Sequence, residues 1–294
     1  MIIYPMIAAI CYGTQYVPQK LAGKVKTEYY NLTMIIGIVI ATSITYFIGS
    51  CIFDFEIISL TPFLLSFAGG FFWAFANRLS LVGINNIGMA KTTVILNFVS
   101  IISFIFGIIF LSESPTFFLY IGIPFLIGGS IIVSLLSENN KQINKKGVFA
   151  VFLATFFISI LNVLITDAII AQYFPHPTIL FFTATMCMSF GSLLGAIIFN
   201  LRISKLREWF AQPKKTHLYA LGAGLIWMVG FEITSYILAE FGLSFGVPII
   251  QSVMILVSAL WGILYFKEIV GRKKLGYYCI GAGITIVGVI LFAI

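Results

Sequence analysis

Ten stretches of roughly 20 mostly apolar residues, each long enough to cross a bilayer as a helix, follow one another along this chain. They lie at about 2–20, 30–52, 61–82, 88–111, 116–137, 147–171, 177–200, 217–239, 244–266 and 274–294. The connections are short, and none could hold an extramembrane domain. The expected fold is therefore an all-α membrane protein of ten transmembrane helices. Composition fits: of 294 residues, 60% are hydrophobic and 9% charged, with a mean hydropathy of +1.08, where a soluble domain carries roughly 25% charge. A soluble enzyme, a nucleic-acid partner and a disordered chain are excluded. Residues 1–13, MIIYPMIAAICYG, lack a basic leader and read as the first spanning helix rather than a cleaved signal.

The net charge of +7 gains meaning from where the basic residues fall. Connection 1 carries Lys20, Lys24 and Lys26, and connection 5 carries Lys141, Lys145 and Lys146. Connection 7 holds Arg202, Lys205, Arg207, Lys214 and Lys215, and connection 9 holds Lys267, Arg272, Lys273 and Lys274. Arg78 and Lys91 flank connection 3, which completes the 17. Even connections and both termini carry none. Positively charged connections stay on the cytoplasmic side, so both termini are expected on the opposite, non-cytoplasmic face. A multi-pass protein of the cell membrane is the natural setting.

A shift of 154 residues lays the chain on itself. AGGFFWAF at 68–75 falls on GAGLIWMV at 222–229, pairing Gly70 with Gly224 and Trp73 with Trp227. Gly88 then meets Gly242, Gly122 meets Gly276, and Gly129 meets Gly283. One inserted residue in the ninth span aligns Gly107 with Gly262 and Glu113 with Glu268. The expected repeats are 1–140 and 141–294. Each has five spans, an odd number, so the two must sit inverted in the membrane. Inverted repeats are the architecture of secondary transporters, with the solute site near the midplane between halves. No phosphate-cradling G-x-x-x-x-G-K-[ST] loop occurs.

Four segments carry a resemblance to a known family: YGTQYVPQK at 12–20, GGFFWAFAN at 69–77, IGMAK at 87–91 and FGVPIIQSVMILVSALWGILYFKE at 245–268. Over most of its length, and in order, the chain resembles the drug/metabolite transporter (DMT) superfamily. Within it the chain is similar to the glucose/ribose porter branch and to eukaryotic carbohydrate-transporter-like membrane proteins. The last segment is the most specific, through its Pro, Gln, Trp-Gly and Phe-Lys-Glu series. The chain departs from that branch at Val94, where a Pro is usual, and near Asn77, where a Gln is usual. The resemblance implies a secondary active transporter (permease) moving a sugar or similar small polar solute by alternating access, with proton symport. It also implies that the fifth and tenth helices lie at the periphery.

Polar groups within spans must face the bundle interior or water, so they are the site candidates. Tyr12, Gln15, Tyr16 and Gln19 lie at i, i+3, i+4 and i+7 on one helical face. An amide beside aromatic rings suits a neutral polyhydroxylated solute. Trp73 and Asn77 share a face of the third helix with Gly70. An indole can stack on the C–H face of a sugar while Asn77 bonds its hydroxyls, and Trp227 would face Trp73 from the other half. Asn97 and Gln251 are related by the same shift, and Asn162 adds a polar face on the sixth helix. Amides of this kind also glue helices together. Pro248, three residues before Gln251, is expected to break the ninth helix.

Asp167 and Glu232 are the acids within spans and the candidates for proton coupling. Arg78 and Lys91 are gate candidates that could instead snorkel to the interface. Glu113 and Glu268 read as loop anchors. The four cysteines (Cys11, Cys51, Cys187 and Cys279) are scattered singly, so no metal site is expected. No cofactor is expected either, and no nucleophile–base pair marks an enzyme. The expected partners are a small-molecule solute, the lipid bilayer and protons, with the chain a monomer or homodimer. An exporter of amino acids, metabolites or amphipathic drugs on the same fold remains the alternative. A second alternative is a non-transporting receptor or assembly subunit.

Overall fold

The computed structural model describes residues 3–23, 25–52, 59–87, 89–135, 144–170, 177–200, 205–266 and 272–293, and among them every regular element is a helix. In chain order these are α1 (Ile3–Thr14), α2 (Val17–Ala22), α3 (Thr27–Ile52), α4 (Leu60–Ile87), α5 (Met89–Leu96), α6 (Phe98–Phe110) and α7 (Phe117–Leu135). There follow α8 (Lys145–Ile170), α9 (Pro177–Asn200), α10 (Leu206–Phe210), α11 (Lys214–Phe241), α12 (Leu243–Leu264) and α13 (Arg272–Ala293). Five stretches are long and apolar enough to cross a membrane: Thr27–Ile52, Leu60–Ile87, Lys145–Ile169, Phe182–Phe199 and Lys214–Phe241. Shorter apolar helices cover Phe98–Phe110, Phe117–Gly129, Leu243–Ser258 and Leu275–Gly288.

The bundle buries polar groups within an apolar core and turns large apolar side chains outward. Asn31, Asn77, Asn97, Asn162, Ser159 and Thr166 are buried, while Phe47, Leu60, Phe149 and Leu218 lie exposed. In water this arrangement would be unstable. In lipid it satisfies polar groups internally and offers hydrocarbon to hydrocarbon. Where helices touch most closely, glycine supplies the room. A Cβ at Gly70 of α4 would overlap the Met188 carbonyl oxygen of α9, and one at Gly224 of α11 would overlap the Met34 carbonyl oxygen of α3. Small residues at such crossings allow backbone approach, which is what drives helix association in lipid. The main hydrophobic core joins residues of α1, α3, α4, α8, α9, α11 and α12. The chief partner of α13 is α7, which also packs on α12.

Three local features differ from the sequence expectation. The first expected span is two helices, because Pro18 has no N–H for the Thr14 carbonyl and its ring crowds that oxygen. The fourth is also divided, at Asn97, where the Ser100 N–H donates to the Asn97 carbonyl at 2.9 Å. Pro248, by contrast, does not break α12. It sits in the second turn, where the one bond it removes lies close to the naturally unsatisfied helix start.

Two clamps tie distant segments together. After α6, the Leu111 and Glu113 N–H groups both donate to the Gly107 carbonyl, and Ser112 adopts a φ of 54°. This tight turn aims Glu113 at the start of α12, where Oε1 accepts from the Leu243 N–H at 2.6 Å and Oε2 from the Ser244 N–H at 2.7 Å. At the end bearing the basic connections, the short helix α10 grips the start of α3. Glu208 Oε2 accepts from Lys26 Nζ at 2.8 Å and the Tyr29 hydroxyl at 2.7 Å, and the Trp209 indole donates to Thr33 Oγ1 at 2.9 Å. His217 bridges Thr33 Oγ1 and the Trp209 carbonyl, at 3.0 and 3.1 Å.

Candidate functional site

The divided first helix matters because its interruption falls at Gln15 and Tyr16, deep in the bundle. Both are buried and face a central cavity bounded by α1, the break that follows it, α4, α5, α8, α11 and α12. The cavity offers about 60 Å³ of free volume, below the roughly 300 Å³ at which small-molecule sites begin. Eight sequence-predicted residues meet there: Tyr12, Gln15, Tyr16, Trp73, Asn77, Asn162, Trp227 and Gln251. No acidic, basic or histidine side chain lines it among the described residues.

The cavity has an aromatic floor and an amide wall. The Trp73 and Trp227 rings lie 4.2 Å apart between centroids, tilted by 39°, and Trp227 stacks on Phe231 at 4.7 Å. Tyr12 approaches Trp227 at 6.2 Å. The two tryptophans thus touch each other and leave no slot between them. Of the lining amides, Gln15 Oε1 and Gln251 Oε1 are buried with no hydrogen-bond partner among the described residues. A buried acceptor left unpaired costs about 1–3 kcal/mol, a deficit that a hydroxyl-bearing solute removes.

Other predicted residues fall elsewhere. Asn97 is buried beside the cavity without lining it; its Oδ1 accepts from Ser100 Oγ at 3.1 Å and its Nδ2 has no partner. Glu232 points from α11 toward α9, its Oε1 accepting from Thr185 Oγ1 at 2.7 Å and its Oε2 buried unpaired. Asp167 is half-buried and away from the cavity. Arg78 donates to the Phe199 carbonyl near the end of α9, where the last carbonyls lack helical partners. Lys91 belongs to α5, but its side chain lies outside the described residues, as do Lys24, Lys141 and Glu268.

The sequence reading overlooked Ser80, Phe231 and Thr234, all of which line the cavity. A signal existed. Trp73, Asn77 and Ser80 are spaced i, i+4, i+7, and the 154-residue shift carries them onto Trp227, Phe231 and Thr234. Asn31 was overlooked as well, and no pattern in the sequence singled it out. It is fully buried in α3 and accepts at Oδ1 from Asn77 Nδ2, at 2.7 Å.

The profile of a family described as sugar transport protein matches residues 3–294. The chain belongs to the sugar transport protein family. It is accordingly a multi-pass membrane protein of transport and not an enzyme. Similar proteins include one of Lactobacillus johnsonii, 26% identical over 296 residues and covering 98% of both chains, whose name assigns it to sugar uptake. Proteins of Bacillus cereus and Bacillus anthracis, also named for sugar uptake, are 24% identical over 302 residues, covering 99% of this chain and 97% of theirs. The fold is shared with a crystal structure at a TM-score of 0.72 and 12% identity, covering 100% of this chain and 98% of the other.

Proposed function

We propose that this member of the sugar transport protein family is a secondary transporter that takes up an uncharged monosaccharide across the cell membrane by alternating access. The observation that carries the reading is a buried cavity, free of charged side chains among the described residues, lined by paired indoles and by two glutamines whose amide oxygens lack partners there. Sugar hydroxyls donate to such oxygens, and a sugar's C–H face packs on such rings. The names of the relatives support sugar as the solute. An exporter of cationic drugs or amino acids would want an acid facing its cavity, and none lines this one among the described residues.

Ten spans in two inverted five-helix repeats, within the DMT superfamily, remain our reading of the architecture. Packing supports it. The Cβ positions of Gly70 and Gly224 meet Met188 O and Ser192 N in one case, and Met34 O and Ile38 N in the other. Likewise Gly191 meets Phe67 O where Gly37 meets Leu221 O. Every one of these pairs differs by the same 154 positions. For proton coupling we assign Glu232, whose unpaired buried oxygen is where a proton would sit, ahead of Asp167.

Purified protein in liposomes, given labelled hexoses and pentoses, tests this directly. Accumulation against a gradient, acidic on the face bearing the termini and abolished by a protonophore, is the expected result. Equilibration without the gradient would remove the proton from the reading. No flux of any sugar by folded protein would overturn it and bring the exporter forward.

A further inference from the structure

Two amides in the cavity wall are held by hydrogen-bond chains that run away from it, and both chains end on a backbone carbonyl. Asn77 Nδ2 donates to Asn31 Oδ1 at 2.7 Å, and Asn31 Nδ2 donates to the Ala74 carbonyl at 3.2 Å. On the other side, Asn162 Nδ2 donates to Ser103 Oγ at 3.4 Å, Ser103 Oγ to Ser159 Oγ at 3.4 Å, and Ser159 Oγ to the Thr155 carbonyl at 2.9 Å. Asn31, Ser103 and Ser159 are fully buried.

A backbone carbonyl can only accept. Whatever end of Asn31 meets Ala74 O must therefore be its NH₂ group, so the end meeting Asn77 must be oxygen. Asn77 must in turn offer its own NH₂ to Asn31. The second proton of that group points to another acceptor, Met34 Sδ at 3.4 Å. What remains for the cavity is the Asn77 carbonyl oxygen. On the other side the bonds run from Asn162 Nδ2 through the Ser103 and Ser159 hydroxyls to Thr155 O, an orientation that leaves the Asn162 carbonyl oxygen for the cavity. Gln15 and Gln251 also line the cavity, and the Oε1 of each is buried without a partner among the described residues.

We propose that Asn31 and Ser103 are positioning residues that set the cavity's hydrogen-bonding polarity, so that it selects a solute by the hydroxyl protons it donates. This deepens the sugar reading above and rests on it. Neither residue lines the cavity; each acts through the amide it holds. The site then rejects derivatives in which a donor is lost, even where size and acceptor capacity are kept.

Monofluoro-deoxy and plain deoxy derivatives of the best-bound hexose or pentose separate these properties, since fluorine replaces hydroxyl in size and as a weak acceptor but donates nothing. Binding to purified protein is followed by fluorescence of the cavity tryptophans. In the wild type, at the ring position served by Asn77, deoxy and fluoro derivatives should both bind roughly tenfold more weakly than the parent, the fluoro no better than the deoxy. In Asn31→Leu the Asn77 amide is free to turn its NH₂ inward, so the fluoro derivative should overtake the deoxy. A merely structural role for Asn31 would weaken all three alike and leave their ratio unchanged, which overturns the proposal. If Asn31→Leu does not fold, Ser103→Ala makes the same comparison at the position served by Asn162, where an unchanged ratio is equally decisive. A wild-type protein that binds no sugar at all would sink the sugar reading and this inference with it.

Discussion

At the scale of single residues, the close contacts and the unpaired atoms give opposite expectations. Gly70 has no room for a methyl group, because the Met188 carbonyl oxygen and the Ser192 N–H of α9 lie against it. Gly70→Ala must push α4 from α9, and overpacking of this kind costs about 1–3 kcal/mol. Its repeat mate Gly224→Ala should do the same between α11 and α3. Thermal unfolding in detergent reads both, and an unchanged midpoint would mean the helices give way freely. Gln251 behaves the other way. Its Oε1 bonds nothing among the described residues, so Gln251→Ala should leave the midpoint unchanged and weaken sugar binding severalfold, by the ~0.5–1.5 kcal/mol of a net hydrogen bond. Unaltered affinity would remove Gln251 from the site. Gln251 was legible in the sequence because an amide in an apolar span has few uses. The duty of Asn31 was not, since it acts through a partner 46 positions away and helical periodicity says nothing of contacts between helices.

The elements depend on their ends. Glu113 supplies both oxygens to the first two N–H groups of α12, where orphan donors and the positive end of the helix dipole meet. Glu113→Ala strands these donors and should cost about 1–3 kcal/mol, while Glu113→Gln keeps an acceptor and should cost less. Equal midpoints for the two variants would show that the cap contributes nothing. The sequence marked Glu113 as a loop anchor, but not its target, because the Ser112 turn that aims it has no sequence signature of its own. The α10 clamp responds to pH instead. The Lys26 ammonium, followed by the Tyr29 hydroxyl, holds the Glu208 carboxyl below its ordinary range, and Glu208 raises Lys26 in return. A carboxyl lowered by folding contributes above its unfolded pKa and is lost as pH falls through its folded one. Below the ordinary carboxylate range, then, α10 should loosen, seen as faster amide exchange over residues 206–210. In Glu208→Gln this acid-dependent step should vanish, and its persistence would place the titrating group elsewhere. Nothing in the apolar pattern announced α10, whose five residues are too few to show a period.

For the whole molecule, the basic connections and the repeat make one joint demand. Apolar length read from sequence matches the five helices long enough to cross a membrane, yet it could not see the divisions at Gln15 and Asn97, because the pattern of apolar side chains runs through a break that the backbone does not. The charge pattern predicts an orientation by a rule about translocation, which the fold itself does not record. On the proposed architecture of five crossings per repeat, the second half must enter the membrane from the opposite side, and Ile3 and Ser114 should share a face while Lys214 lies on the other. All three are exposed, and the four native cysteines can be replaced beforehand. In intact cells, a membrane-impermeant maleimide should label Ile3→Cys and Ser114→Cys at once, and Lys214→Cys only after permeabilisation. Labelling of Lys214→Cys from outside together with Ser114→Cys would break the alternation. The 154-residue correspondence would then have to mean parallel halves, an arrangement that an odd number of crossings does not allow.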